Sequence, residues 1–282
     1  MRLLTKKTIL LQRGDDKPIL CDATIPTGEV DLPLVIFCHG YKGFKDWGAW
    51  EQMMDIVAEA SRCYVVRFNF SKNGTTVENP TEFVDLEAFG QNTYTQEQKD
   101  LSCVIDYFKS KRKVNAAKIF LVGHSRGGGA VLLQGYFNKD IYGVVTLAGV
   151  SDYRKRFPHG ERFVQWKDKG VFYVENARTK QQLPHYISFW NDYEQNEEQL
   201  NVQYAAQHLR KPVLIVQGTA DVAVPQKEGE LLKQWMPQAE LCLIEGADHV
   251  FGTKHPFEDV ELPAHAKEVV EVISAFLKKN TK

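Results

Sequence analysis

Hydrophobic residues fall in short runs separated by amphipathic stretches along most of the chain. Leu34–Cys38 is continuously apolar, which is typical of a strand buried on both faces. Gln96–Lys111 has the apolar spacing of a helix, with Leu101, Val104 and Phe108 on one stripe. This alternation favours an α/β fold, in which a mostly parallel central sheet is flanked by helices.

The alternation predicts the elements in chain order. Strands are predicted at Thr8–Leu11, Ile19–Ile25, Leu34–Cys38, Cys63–Phe68, Lys118–Val122, Tyr142–Ala148, Val213–Val216 and Leu241–Ile244. Helices are predicted at Trp47–Ala60, Gln96–Lys111, Gly128–Phe137, Lys227–Trp235 and Ala264–Lys279. We expect the first two strands to form an antiparallel pair at one edge of the sheet.

The alternation stops between residues 151 and 207, a segment rich in aromatic and charged residues. It is too long for a simple connection, and disordered linkers are poor in aromatics. We therefore predict a cap at 151–207, inserted after the sixth strand into a core made of 1–150 and 208–282. A hairpin of Val171–Val174 and Gln181–Tyr186 is expected inside it. The cap aromatics either line an acyl or aryl pocket or form the cap's own core.

A five-residue motif, Gly123-His124-Ser125-Arg126-Gly127, follows the predicted strand at Lys118–Val122. It matches the G-x-S-x-G nucleophile elbow, a sharp strand-to-helix turn that exposes a serine hydroxyl. Glycines flank the serine because side chains would collide in so tight a turn. The alternative is a glycine-rich turn with an incidental serine. The apolar strand before it and the small residues after it favour Ser125 as a nucleophile.

A nucleophilic serine needs an acid and a histidine, and elbow proteins carry them in the order Ser, acid, His. Asp221 follows the strand Val213–Val216, and His249 follows the strand Leu241–Ile244. Parallel α/β sheets place their sites at these carboxyl ends. Asp248 is the other nearby carboxylate, but a residue adjacent to the histidine is poorly placed to bridge to its ring. Asp221 is therefore the predicted acid, and a turn aspartate and a solvent-facing histidine are the structural alternatives.

Acyl transfer also requires donors for an oxyanion. One predicted donor is the backbone N–H of Arg126, the residue after the serine. The second is the backbone N–H of Tyr41, in the loop that follows Leu34–Cys38, where Gly40 and Gly43 keep the backbone narrow. The alternative for this loop is a tight turn without a chemical role. His39 is expected to hold the loop rather than to react.

The composition excludes several functional classes. There are 35 Lys and Arg against 36 Asp and Glu, a formal net charge of −1, which argues against nucleic acid or an anionic membrane as the main partner. The eight histidines have no metal-binding spacing, and the glycine run 127–129 lacks the Lys-Ser/Thr of a phosphate-binding loop. We predict no metal and no cofactor, with a small-molecule ester or short acyl compound as substrate. The sequence leaves the oligomeric state open.

The cysteines and the N-terminus bear on location. Five cysteines lie mostly in apolar runs without a C-x-x-C pair, which indicates buried free thiols in a reducing compartment. Residues 1–11 have no long apolar core, so neither a signal peptide nor a membrane span is predicted. We therefore expect a cytoplasmic protein, provided that no leader has been removed.

With these motifs in order, the chain resembles the α/β-hydrolase superfamily, most closely the bacterial cinnamoyl/feruloyl-esterase-like carboxylesterases and the serine-aminopeptidase-like hydrolases. The resemblance rests on the elbow, the His39–Gly43 loop, Gly218–Pro225 and His249, and spans about 34 to 251. Two departures stand out from the esterase pattern. Arg126 replaces a frequent Gln, and residues 69–74 lack the usual D-x-x-G-x-G-x-S pattern.

The resemblance implies hydrolysis of carboxylic esters through an acyl-enzyme, with cinnamoyl-like aryl esters among the candidates. Two further activities use the same chemistry: cleavage of short peptides by a serine peptidase or aminopeptidase, and hydrolysis of thioesters. A ligand-binding protein with a silent site is the non-enzymatic alternative. Only the pocket separates these interpretations.

Overall fold

The computed structural model describes residues 3–14 and 16–281. Residues 1, 2, 15 and 282, which the predicted core includes, lie outside the described residues. In the described part the strands form one eight-stranded sheet and one two-stranded hairpin. The strands are β1 Leu4–Arg13, β2 Asp16–Pro26, β3 Leu32–Cys38, β4 Tyr64–Phe68, β5 Val114–His124, β6 Ile141–Leu147, β7 Val171–Glu175, β8 Gln182–Tyr186, β9 Val213–Gly218 and β10 Glu240–Ile244.

The large sheet has the order β1-β2-β4-β3-β5-β6-β9-β10. The pairs β1–β2 and β2–β4 are antiparallel, and the pairs from β4 to β10 are parallel. The expected α/β-hydrolase fold, with a mostly parallel sheet and an antiparallel edge pair, is confirmed.

The helices are α1 Trp50–Ser61, α2 Leu86–Gly90, α3 Tyr94–Lys109, α4 Arg126–Phe137, α5 Glu161–Lys169, α6 Ser188–Gln195, α7 Val202–His208, α8 Gln226–Trp235 and α9 Ala264–Thr281. The helices predicted from apolar spacing are all present, with ends shifted by a few residues. The sequence pattern missed α2 and the helices of the 151–207 segment, because these are short and their apolar residues are mostly aromatics that also suit strands.

The core lies on both faces of the sheet. Alternate residues of β3 point to opposite sides, so that Leu34 and Ile36 join one buried cluster and Val35 and Phe37 join the other. Helices α3, α4, α7 and α8 contribute to the first cluster, and α1 and α9 contribute to the second. This burial on two faces explains why the sequence of β3 is a continuous apolar run.

The chain between β6 and β9 leaves the sheet and returns through α5, the β7–β8 hairpin, α6 and α7. The predicted hairpin is present, and its two strands are antiparallel. Helix α7, inside the predicted 151–207 segment, packs against α4 and α8 of the core. The division into a 151–207 cap and a core stays a prediction, and "cap" below means these residues.

Candidate active site

The predicted site residues follow the carboxyl ends of four strands of the parallel part of the sheet. Tyr41 follows β3, Ser125 follows β5, Asp221 follows β9 and His249 follows β10. Because parallel strands end at one edge, residues distant in sequence meet there.

Ser125 lies at the tip of the turn between β5 and α4, with φ 56° and ψ −116°. A non-glycine residue rarely adopts a positive φ, and such strain persists only where the surroundings hold it. A Cβ atom on Gly123 would lie 2.2 Å from the carbonyl oxygen of Gly127, and one on Gly127 would lie 2.5 Å from that of Cys38. The glycines of the motif are therefore required by close backbone approach on both sides of the serine.

Hydrogen bonds join Ser125, His249 and Asp221. The His249 Nε2 atom lies 3.0 Å from Ser125 Oγ, and its Nδ1 atom lies 2.8 Å from Asp221 Oδ2. The histidine side chain is 24% exposed, whereas that of Asp221 is fully buried. The imidazole can therefore meet a ligand while the carboxylate stays out of water.

Asp221 is held as a carboxylate by its neighbours. Its Oδ1 atom accepts the backbone N–H groups of Ala223 at 2.8 Å and Val224 at 2.9 Å, and its Oδ2 atom accepts Gln217 Nε2 at 3.2 Å. Burial of Asp221 raises its pKa, but the hydrogen bonds from His249 and the backbone outweigh burial and leave the pKa below its ordinary value. A carboxylate so fixed can orient the imidazole and stabilise its protonated form.

Asp248, the other carboxylate near the histidine, has a different role. Its Oδ1 atom accepts the backbone N–H groups of Val250 at 3.1 Å and Gly252 at 2.7 Å. These bonds shape the turn that carries His249. In the structure the His249 ring is bonded to Asp221.

The loop after β3 runs directly against the serine. A Cβ atom on Gly40 would lie 2.9 Å from Ser125 Cβ, so only glycine permits this approach. Arg126 is the first residue of α4, and N–H groups at a helix start have no acceptor within the helix. Gly40, the neighbour of Tyr41, and Arg126 are therefore both adjacent to Ser125, and the Tyr41 and Arg126 backbone donors stay a prediction.

Two buried histidines support this arrangement. The His39 Nδ1 atom donates to the carbonyl of Gly40 at 2.9 Å, and its Nε2 atom accepts the N–H of Phe70 at 3.3 Å, so His39 holds the loop. His124 Nε2 donates to the carbonyl of His249 at 2.9 Å. Burial lowers the pKa of His39 to about 4 and that of His124 to about 3, so both rings are neutral near pH 7. No sequence signal indicates the role of His124, because its partner is a backbone atom 125 residues away.

Comparison with known proteins agrees with the fold described above. Residues 35–262 match the model of the alpha/beta hydrolase family. The chain belongs to this family. The match covers all four strand ends that carry the site.

The chain is similar to three further proteins at 18–24% identity. The chain is 24% identical to the quorum-quenching protein AidA of Acinetobacter baumannii strain MDR-ZJ06, over 49% of this chain and 43% of that protein, so the match spans less than half the relative. Est1E from Butyrivibrio proteoclasticus, solved with ferulic acid bound, is similar with a TM-score of 0.73 and 18% identity, covering 97% of this chain and 99% of that one. The esterase domain of a Rhodothermus marinus protein has a TM-score of 0.66 and 18% identity, covering 99% and 100%. At these identities the structural matches show a shared fold.

A cleft of about 1420 Å³ opens above Ser125 and His249, between the core and the cap. Six aromatic residues of the cap line it: Tyr153, Phe157, Trp166, Phe172, Tyr173 and Phe189. Trp190 and Tyr193 do not line the cleft and instead pack with Phe157 in the interior. The cap aromatics therefore serve both of the purposes considered from the sequence.

The side chain of Arg126 also lines this cleft. Its guanidinium donates to Glu97 at 3.1 Å and packs on the rings of Tyr41, Tyr94 and Phe189, at 4.5, 5.3 and 5.2 Å from their centroids. The carboxylate and the aromatic faces satisfy a buried cation. The arginine that stands at position 126 in place of the frequent Gln is thus paired with Glu97, which the motif did not reveal.

The cap also contacts the loop after β3. The Tyr41 hydroxyl donates to His185 Nε2 at 2.6 Å, and the carbonyl of His185 accepts Trp166 Nε1 at 2.8 Å. Burial lowers the pKa of His185 to about 3, so the ring is neutral near pH 7 and an unprotonated ring nitrogen can accept this hydrogen bond. This connection could not be seen in the sequence, because Tyr41 and His185 lie 144 residues apart.

Across residues 3–14 and 16–281, no three His, Cys, Asp or Glu side chains are grouped as a metal ion would need. In the same residues, every helix is too short or too polar to cross a membrane.

Proposed function

We propose that this hydrolase cleaves carboxylic esters, with Ser125 as nucleophile, His249 as general base and Asp221 as the acid that orients it. The observation that carries the proposal is the hydrogen-bonded series Ser125 Oγ, His249 Nε2 and Nδ1, and Asp221 Oδ2, at 3.0 and 2.8 Å. A hydroxyl beside an imidazole that is itself bonded to a buried carboxylate is the arrangement that activates serine.

In the proposed reaction, His249 takes the Ser125 proton as the oxygen attacks the ester carbonyl. The backbone N–H groups of Tyr41 and Arg126 stabilise the resulting oxyanion, and each is worth about 3 kcal/mol in comparable enzymes. The C–O bond then breaks, and His249 gives its proton to the departing alcohol. Water repeats these steps on the acyl-enzyme, releasing the acid and restoring Ser125.

The cleft supports an ester with an aryl or other apolar acyl part, because aromatic side chains line it near Ser125. Its charge disfavours an aminopeptidase, whose substrates carry an ammonium group. In the described chain, Glu175 is the one carboxylate on the cleft lining, and Lys180 already pairs with it at 3.2 Å. Thioesters remain the second substrate class to assay, since they need no such amine site. We also propose the cytoplasm as the place of action, because all five cysteines are free thiols.

The proposal is tested with Ser125→Ala on p-nitrophenyl esters, together with labelling by a fluorophosphonate probe. We expect wild type to turn over the esters and to be labelled, and the variant to lose both while unfolding at a similar temperature. A panel of aryl esters, acyl thioesters and aminoacyl amides then ranks the substrate classes by kcat/KM. Retained burst kinetics or labelling in folded Ser125→Ala would contradict the assignment.

A further inference from the structure

Positive charge is concentrated on the cleft above Ser125. The cationic side chains of its lining are Lys42, Arg126, Arg156, Arg162 and Lys169. Against them stands Glu175, which is already paired. The whole chain is balanced, with 35 basic and 36 acidic residues. The excess of cationic over anionic side chains is therefore local to this cleft, and it would attract an anion.

Two of these cations already have partners. Arg126 pairs with Glu97 at 3.1 Å, and Arg156 pairs with Glu228. For the other three, the described part of the chain supplies no ion-pair partner: Lys42, Arg162 and Lys169. Unpaired cations facing one cavity are available to a bound ligand.

Helix α5 presents two of these three free cations on one face, two turns apart. Its residues on the cleft are Arg162, Gln165, Trp166 and Lys169. These positions are spaced by three, four and seven residues, which puts them on one face of a helix. The acidic residues of α5, Glu161 and Asp168, are not among the described residues that line the cleft. The helix thus turns a positive face to the cleft.

The cleft has an apolar interior and a charged rim. Tyr94, Tyr153 and Phe157 on its lining are at most 5% exposed, whereas Arg162 and Lys169 are exposed to solvent. An apolar substrate body would lie on the buried rings, and an anionic end would reach the rim, where it keeps part of its hydration. This arrangement costs less desolvation than a charge held in the interior.

We propose that Arg162 and Lys169 form an anionic subsite, which binds a carboxylate or phosphate-type group at the end of the acyl part remote from the scissile carbonyl. The proposal rests on the function proposed above and names its substrate class: esters of acids that carry a second, anionic group. Lys42 also adds positive potential to the cleft, but it lies in the His39–Gly43 loop next to Tyr41, so it is left out of the subsite.

The test compares p-nitrophenyl esters that differ only at the far end of an eight-carbon acyl chain: carboxylate, phosphonate, neutral methyl ester and trimethylammonium. Wild type should prefer both anionic esters over the neutral one about tenfold in kcat/KM, and the cationic ester should be poorest. Each of Arg162→Gln and Lys169→Gln should reduce the preference about threefold, and the double variant should abolish it, as expected for partly exposed charges. Turnover of the neutral ester by the same protein is the reference against which each preference is taken. The carboxylate and phosphonate arms show which anion is preferred.

Lys167→Gln is the matched control, because Lys167 lies on the same helix but is not on the cleft lining and instead stacks on Phe163. It removes the same charge and should leave the preference intact. A wild type without anion preference, or a double variant that keeps it, would overturn the subsite while the ester hydrolase stands. If wild type hydrolyses none of the esters, the proposed function fails. Calorimetric binding of suberic acid monoamide against neutral suberamide to Ser125→Ala then decides the subsite, and equal binding would overturn it.

Discussion

Replacing Asp221 by asparagine separates charge from shape at the proposed acid. The amide oxygen of the new side chain can still accept the N–H groups of Ala223 and Val224, which lie 2.8 and 2.9 Å from Asp221 Oδ1 in the wild type. The amide NH₂ then faces His249 Nδ1, which lies 2.8 Å from Asp221 Oδ2. An NH₂ group can only donate, so Nδ1 must accept and the ring proton moves to Nε2.

With its proton on Nε2, the His249 ring can no longer accept the hydroxyl proton of Ser125, 3.0 Å away. The corresponding change in a serine protease lowers kcat about 10⁴-fold, which equals about 5 kcal/mol of transition-state stabilisation. We expect a loss of this size in kcat for p-nitrophenyl acetate, with the fluorophosphonate labelling rate falling in parallel. Thermal unfolding of both proteins verifies that the variant is folded.

Asp248→Asn is the matched control, since Asp248 neighbours His249 but its side chain, within the described part of the chain, bonds to backbone N–H groups of its own turn. The amide oxygen of asparagine can keep those bonds, so kcat should change less than about threefold by comparison with ordinary surface effects. The reasoning is refuted if Asp221→Asn loses less than tenfold, or if Asp248→Asn loses as much.

Three further predictions concern the elbow, the cap and acid stability. Gly127→Ala puts a Cβ 2.5 Å from the carbonyl oxygen of Cys38, so we expect it to displace the Tyr41 loop. The free energy of unfolding in urea should fall by about 1–3 kcal/mol, and kcat should fall by a larger factor than KM rises. Unchanged kinetics would count against the loop's role. Tyr41→Phe removes the hydrogen bond to His185 at 2.6 Å and leaves a buried polar group unpaired. The free energy of unfolding should fall by about 1–3 kcal/mol, while kcat changes little because the backbone N–H of residue 41 remains. A thousandfold loss of kcat would instead assign a chemical role to the hydroxyl. Burial lowers the pKa of His39 to about 4 and those of His124 and His185 to about 3, so the unfolded chain binds more protons than the folded chain below about pH 6.5. The stability that these three neutral histidines contribute is fully present above that pH and falls as acid is added. The melting temperature of His185→Gln should therefore drop less steeply from pH 6.5 to 5 than that of wild type.

Much of this molecule could be predicted from its sequence because its signals are local. The run Leu34–Cys38 is apolar because both faces of β3 are buried, and the motif 123–127 has glycines where any Cβ would collide. The positions of Asp221 and His249 after two strands follow from the rule that parallel sheets place their sites at one edge. These features need only neighbouring residues and the fold class.

What the sequence did not reveal depends on contacts between distant segments. Glu97 beside Arg126, and His185 beside Tyr41, join elements with no shared motif. The short helix α2 was missed because five residues carry too little periodicity to distinguish a helix from a turn. The positive face of α5 is also invisible in a balanced composition, since it arises from which side of the helix faces the cleft.

The contact of His185 with both Tyr41 and Trp166 bears on how this protein can be redesigned. Libraries aimed at new substrates usually randomise whatever lies over the catalytic centre. Here a change at His185 would lower stability as well as alter selectivity, because the ring lines the cleft and is hydrogen-bonded to Tyr41 in the loop after β3. Variation restricted to the outward rim of α5 would avoid that trade-off.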